Sequence, residues 1–116
     1  MSALVEQRCE ACRADSPVVS ESKRAELLTE LREWVCEPVA GVDQLIAHFS
    51  FEDFVSGLTF VQRVADIAEA ENHHPRLVLE WGRVEVSWWT HTIRGLHMND
   101  FILAARTSAL YARSGH

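Results

Sequence analysis

The chain is expected to fold as an α+β unit, a four-stranded antiparallel sheet with three helices packed on one face, in the order α-β-β-α-β-β-α. Three features of the sequence predict this. Two pairs of β-patterned segments are each divided by a glycine, at Gly41 and Gly82. A long stripe of apolar residues at three- and four-residue steps separates the pairs, and shorter helical patterns stand at either end.

Residues 1–19 carry no periodic apolar pattern and are expected to form a flexible N-terminal arm, with a single domain over 20–116. Ser20 or Ser22 caps a helix reaching about Glu33, with Ala25, Leu27, Leu28 and Leu31 as its stripe. Trp34 to Val39 then runs extended, and Pro38 and Gly41 mark the next connection. Asp43 to Ser50 alternates Leu45, Ala47 and Phe49 against Gln44, Ile46 and His48, so these two segments pair as a hairpin. Ser50-Phe51-Glu52-Asp53 has the form of a capping box. The helix it opens turns Phe54, Leu58, Val61, Ala65 and Ala68 toward the core, widened by Val55, Val64 and Ile67. Pro75 lacks an N–H and bars the helical conformation at the residue before it, which ends this helix near Asn72. Leu77 to Trp81 and Arg83 to Thr90 meet at Gly82 as the second hairpin. Val84, Val86, Trp88 and Thr90 share one face of the latter strand, and Glu85, Ser87, Trp89 and His91 share the other. After Gly95, Asn99 to Tyr111 forms the last helix with Phe101, Ile102, Ala105 and Ala109 inward. The uncovered sheet face, with an edge strand and tryptophans, invites self-association.

At 116 residues the chain is one domain long, and 17 Asp+Glu against 11 Lys+Arg leaves a formal charge of −6. Nucleic acid and anionic membrane surfaces are therefore not expected partners, because both are bound through basic faces. The longest apolar run, Phe101 to Ala105, falls far short of the roughly 20 residues a bilayer crossing needs. The first twenty residues hold Glu6, Arg8, Glu10, Arg13 and Asp15, which does not fit a secretory signal, and a cytoplasmic location is expected. The odd cysteine count agrees with a reducing compartment. Cys9 and Cys12 form one Cys-x-x-Cys without the second ligand pair a structural zinc site requires, so exposed thiols are expected there rather than metal.

His73 and His74 stand side by side where the long helix is forced to stop, and His91 ends the last strand. Rigid scaffolds present reactive groups at such ends and in the loops after them. Imidazole, with an ordinary pKa of about 6.5, takes or gives a proton near neutrality, and the pattern favours acid/base chemistry. Glu69, one turn before His73, and Asp100, five residues after Gly95, are carboxylates placed to orient an imidazole or hold a polar substrate edge. The plainer alternative is that histidine near a helix C-terminus and aspartate in a first turn complement the helix dipole. A three-histidine zinc centre is the remaining alternative, and it needs a convergence of ligands that spacing does not display.

The run Glu69-Ala70-Glu71-Asn72-His73-His74-Pro75, followed by Trp81-Gly82-Arg83-Val84-Glu85-Val86, Thr90-His91, Gly95-Leu96 and Asp100, closely resembles the pterin-4a-carbinolamine dehydratases. The likeness extends upstream through Phe49, Phe51, Asp53 and Phe54 and covers most of the chain from about Ser20. Cys9-Glu-Ala-Cys12 and Trp88-Trp89 are similar to a bacterial branch often associated with phenylalanine hydroxylase. The resemblance implies the fold order read above, a homodimer or homotetramer, and loss of water from a 4a-hydroxytetrahydropterin to give quinonoid dihydropterin in tetrahydrobiopterin recycling. It implies no metal and no redox cofactor. Carried over position by position, His73 and His91 are the acid/base pair on opposite sides of the carbinol carbon, and His74 holds the pterin and assists. Glu69 and Asp100 are carboxylates beside the site, Asn72 joins the substrate edge, and Pro75 fixes the backbone of the histidine pair.

Two positions differ from the family pattern. Aligned without gaps, Cys36 stands where the family often has a tryptophan beside the pterin, and Trp34, two residues earlier on the same strand face, takes that role in this reading. Arg76 and Leu77 stand where the family commonly has an acidic residue and an aromatic, which bears on substrate preference or surface contacts. The resemblance also carries a second reading, a catalytically silent binding protein: a dimerisation cofactor, or an assembly factor for ribulose-bisphosphate carboxylase in a carboxysome operon. Either that enzyme or an aromatic amino acid hydroxylase is then the protein partner. Retention of all three histidines and Asp100 favours activity, although one scaffold can carry both roles.

Overall fold

The computed structural model describes residues 4–9 and 17–114. Among these the order is α1 (Glu21–Leu28), β1 (Trp34–Val39), β2 (Val42–Ser50), α2 (Phe54–Glu71), β3 (Arg76–Glu80), β4 (Arg83–Trp88) and α3 (Met98–Arg113), preceded by a short 3-10 turn at Leu4–Glu6. The strands form one sheet in the order β1-β2-β4-β3, antiparallel throughout. Both predicted hairpins form, and they join through β2 and β4, with Leu45 opposite Trp88 and Phe49 opposite Val84. The α+β class and the element order are as the sequence predicts. No helix among the described residues is long and apolar enough to cross a membrane.

Alternation decides which face of the sheet is covered. Leu45, Ala47 and Phe49 of β2 and Val84, Val86 and Trp88 of β4 are at most 1% exposed. Phe60 of α2 and Tyr111 of α3 meet Phe49 and Phe51 in an aromatic cluster with ring centroids 4.8 to 6.0 Å apart, tilted or edge-on as ring quadrupoles prefer. The opposite face carries a polar ladder across three strands. His48 Nε2 lies 2.7 Å from Glu85 Oε1, and Arg76 Nη1 donates to Glu85 Oε2 at 2.5 Å. The hydrogen bond to His48, and then that from Arg76, hold the Glu85 carboxyl below its ordinary value.

The β1–β2 connection is the two-residue turn Ala40-Gly41, with φ of 52° and 80°. Positive φ at both positions matches the right-handed twist of a hairpin, and glycine adopts it without the steric cost that alanine bears.

Four local expectations are corrected by packing. First, α1 stops at Leu28 rather than near Glu33. The Thr29 hydroxyl donates back to Glu26 O at 2.7 Å, and the chain continues in tight turns in which Leu31 N–H reaches Leu28 O and Trp34 N–H reaches Leu31 O. Second, the N-cap of α2 is Asp53 rather than Ser50: its carboxylate accepts the Ser56 N–H at 2.8 Å, because Ser50 is still paired with Arg83 in the sheet. Third, the buried stripe of α2 is Gly57, Phe60, Val64 and Ala68, while Phe54, Val55 and Leu58 are exposed. Gly57 is the point of closest approach: a Cβ there would stand 3.0 Å from Leu79 Cδ1 and 3.4 Å from Val84 Cγ2, so the glycine face turns to the sheet and rolls the first turn outward.

Fourth, residues 4–9 are not the loosely held arm expected. Leu4 is 1% exposed and joins the core beside α3. Arg106 Nη2 donates to Gln7 O at 2.6 Å while its Nη1 donates to Glu71 Oε2 at 2.8 Å. With this segment laid over it, α3 buries Leu103 and Ala104 as well as Phe101 and Ile102, more than a single amphipathic stripe predicts. Cys9 lies half-buried in the same segment, whereas Cys12 falls outside the described residues.

Two outcomes follow from this packing. Leu4→Ala should lower the unfolding free energy by about 2 to 3 kcal/mol, as removal of a buried leucine side chain does, measured by urea denaturation; an unchanged midpoint would show that the docked segment contributes nothing. Because the folded-state pKa of Glu85 is depressed, its contribution is present above the unfolded value of about 4.3 and is lost as pH falls through the folded value. The stability advantage of the wild type over Glu85→Gln should therefore shrink steadily when thermal unfolding is followed from pH 6 down to pH 3.

Candidate active site

The site begins with the way α2 ends. Asn72 sits at φ 49°, ψ 45°, a left-handed conformation asparagine tolerates better than most residues. Its N–H donates to Glu69 O at 3.2 Å, and the next N–H, of His73, donates to Ala68 O at 3.0 Å. This pair of bonds is a Schellman cap. Asn72 thus acts through its backbone, reversing the chain so that His73 enters the interior at 9% exposure while His74 stays outside. Pro75 confines His74 to extended backbone and leads directly into β3 at Arg76. Arg106 steadies the same turn from the α3 side through Glu71, the last residue of α2.

Inside, His73 Nε2 lies 2.7 Å from Asp100 Oδ1. Asp100 is fully buried, and its second oxygen accepts the Thr90 hydroxyl at 2.7 Å and the His97 backbone N–H at 2.9 Å. The last bond is half of a capping box at the start of α3, where His97 Nδ1 in turn accepts the Asn99 N–H at 3.0 Å. An ionised Asp100 offers acceptors only, so His73 Nε2 carries the proton and Nδ1 is the free ring nitrogen. Trp88 flanks the His73 ring at 6.0 Å and 28°, and its own N–H is taken up by Thr107 Oγ1 at 3.1 Å.

Thr90 and Gly95 close a small loop, with Thr90 N–H to Gly95 O at 2.8 Å and Gly95 N–H to Thr90 O at 3.3 Å. His91 opens this loop next to Thr90, exposed, its ring stacked on Trp89 at 4.5 Å and 25°. Val18 packs against Gly95 and Val19 N–H donates to Leu96 O at 2.8 Å, so the segment before α1 also braces the loop.

Among the residues singled out from sequence, His73 and Asp100 meet directly, and His91 is the chain neighbour of Thr90, which bonds the same carboxylate. Glu69 pairs with His74 Nε2 on the surface rather than with His73. Trp34 belongs to the core instead: it is 4% exposed, packs edge-on against Phe49 at 5.9 Å, and donates its N–H to Ser108 Oγ at 2.8 Å. Cys36, on the same strand face, is half-buried, and burial pushes its thiol above the ordinary value. No three His, Cys, Asp or Glu donors converge as a metal site among the described residues. Thr90 and His97 were not candidates from sequence, although Thr90 continues the inward alternation of Val84, Val86 and Trp88, and a polar residue at the inward end of a strand was the available signal.

A model of the family described as pterin 4 alpha carbinolamine dehydratase matches residues 17–110. A relative from Saccharophagus degradans, provisionally named a pterin-4-alpha-carbinolamine dehydratase, is 50% identical over 111 residues, covering 96% of this chain and 98% of its own. The crystal structure of a transcriptional coactivator/pterin dehydratase from Brucella melitensis is 29% identical with a TM-score of 0.74, covering 82% of this chain and 99% of that one. A pterin dehydratase-like protein identified as a RuBisCO assembly factor in the alpha-carboxysome shares the fold at 23% identity, with a TM-score of 0.59 over 72% of this chain and 93% of its own. The matched region runs from just before α1 into α3 and includes every residue that builds the Asp100 corner, and this chain belongs to the pterin 4 alpha carbinolamine dehydratase family.

Proposed function

We propose that the protein is a 4a-hydroxytetrahydropterin dehydratase acting by histidine acid/base catalysis in tetrahydrobiopterin recycling. The observation that carries this reading is the buried Asp100 carboxylate, which orients His73 by its Nε2 and, through Thr90, ties down the residue next to His91.

The chemistry asks for two proton transfers. N5 of the carbinolamine loses a proton, its electrons form the N5=C4a bond, the C4a–O bond breaks, and the departing hydroxide takes a proton and leaves as water. In this reading the free Nδ1 of His73 accepts the N5 proton, and Asp100 stabilises the imidazolium that forms, as a carboxylate does behind a catalytic histidine. His91 gives a proton to the leaving hydroxide. His74, held by Glu69, binds the polar edge of the pterin from the rim. Positioned acids and bases of this kind typically contribute about 10² to 10⁴-fold.

The substrate would come from an aromatic amino acid hydroxylase, the natural source of a 4a-hydroxypterin. The exposed Phe54, Val55, Leu58 and Trp81 support assembly as a homodimer or homotetramer, since a monomer rarely leaves so many large apolar side chains in water. The assembly-factor reading rests on a fold likeness at 23% identity, and a shared fold does not carry function by itself.

With a synthetic 4a-hydroxypterin and no added metal, the purified protein should accelerate dehydration, and the His73→Ala, His91→Ala double variant should lose at least about 10²-fold in kcat/KM; normal turnover by that variant would sink the proposal. Asp100→Asn places an amide where three donors converge. It should cost about 1 to 3 kcal/mol of stability in chemical denaturation, as a buried unsatisfied polar group does, and lower kcat with little change in KM.

A further inference from the structure

The three site histidines are held in three different ways. His73 is hydrogen-bonded to Asp100 and His74 to Glu69, but among the described residues no side-chain hydrogen bond engages the His91 imidazole. Its backbone is fixed by the Thr90–Gly95 bridge and by the Arg94 N–H, which donates to His91 O at 3.3 Å. Its ring lies exposed in water, and the contact that orients it is the Trp89 indole, at 4.5 Å and 25°.

Trp88 is the last residue of β4 and Trp89 the one after it, and the two differ in burial. Trp88 is fully buried beside His73; Trp89 is half-buried at the edge of the core and carries His91. A hydrogen-bonded carboxylate would occupy one imidazole nitrogen. A stacked ring fixes the imidazole plane and occupies neither.

We propose that Trp89 is the positioning residue of His91, its indole face holding the exposed imidazole in one orientation and leaving both ring nitrogens open to substrate. The catalytic half of this proposal rests on the acid/base reading above. The stack itself is testable without it.

Trp89→Ala and Trp89→Phe are compared, each also in a His91→Ala background. In NMR spectra of the wild type, the His91 ring protons should be shifted upfield by the indole ring current; the shift should vanish in Trp89→Ala and persist in part in Trp89→Phe. In the dehydration assay Trp89→Ala should lower kcat about 2- to 12-fold, the range to which an aromatic pair's stabilisation corresponds, Trp89→Phe should recover most of it, and neither should matter once His91 is alanine. Thermal unfolding identifies a variant that fails to fold, and Trp89→Phe, which keeps an aromatic ring, then carries the comparison. An unshifted His91 ring in the wild type, unchanged kcat in folded Trp89→Ala, or an equal loss with and without His91 would overturn the proposal. If the wild type dehydrates no 4a-hydroxypterin, the acid/base reading fails on its own, and the ring-current shift decides whether Trp89 orients His91.

Discussion

Asp100 is the constraint on which the rest of the site depends. A carboxylate removed from water costs several kcal/mol unless its oxygens are fully engaged, and here three donors arrive from three elements. His73 comes from the turn after α2, Thr90 from the strand end after β4, and the His97 N–H from the start of α3. Each bond satisfies the charge and also pins one chain segment to a common point. The burial that makes the carboxylate demanding is what makes the corner rigid.

The fold is arranged to deliver those donors. The β2–β4 pairing sets the sheet register, so that Trp88 and Thr90 fall on the inward face and His91 falls outside. The close approach of α2 at Gly57 sets the roll of that helix. The Schellman cap at Asn72 then converts the helix end into an inward turn at His73. Residues 4–9 contribute from outside by covering α3, and Arg106 links that cover to Glu71, two residues before His73. Stability and site geometry thus share the same contacts: Arg106 serves the docked segment and the histidine turn at once.

The three histidines stand in three different environments. His73 is buried and tied through Nε2; His74 is on the surface with Glu69; His91 is exposed, with its ring against the Trp89 indole. Among the described residues, one imidazole is thus hydrogen-bonded through one nitrogen in the interior and another through neither at the rim. That division suits the proposed dehydration, in which one group takes a proton while another gives one.

Much of this was legible in the residues themselves. Element order, both hairpins, the inward set Leu45, Phe49, Val84, Val86 and Trp88, and the break at Asn72 all follow from period, turn chemistry and the missing N–H of Pro75, which are local properties of the chain. His73, His91 and Asp100 could be picked out because they sit at element ends. What local pattern does not contain is the third dimension. Which side of α2 meets the sheet depended on Gly57 touching Leu79 and Val84; whether Trp34 served the site or the core depended on Phe49 and Ser108; and Glu69 proved to be the partner of His74 rather than His73 because Asp100, 27 residues further along the chain, had already claimed the buried ring. Leu4 likewise looked unpatterned until α3 was present to receive it. These are contacts between segments distant in sequence, and only packing, which forces every buried polar group to find a partner, could decide them.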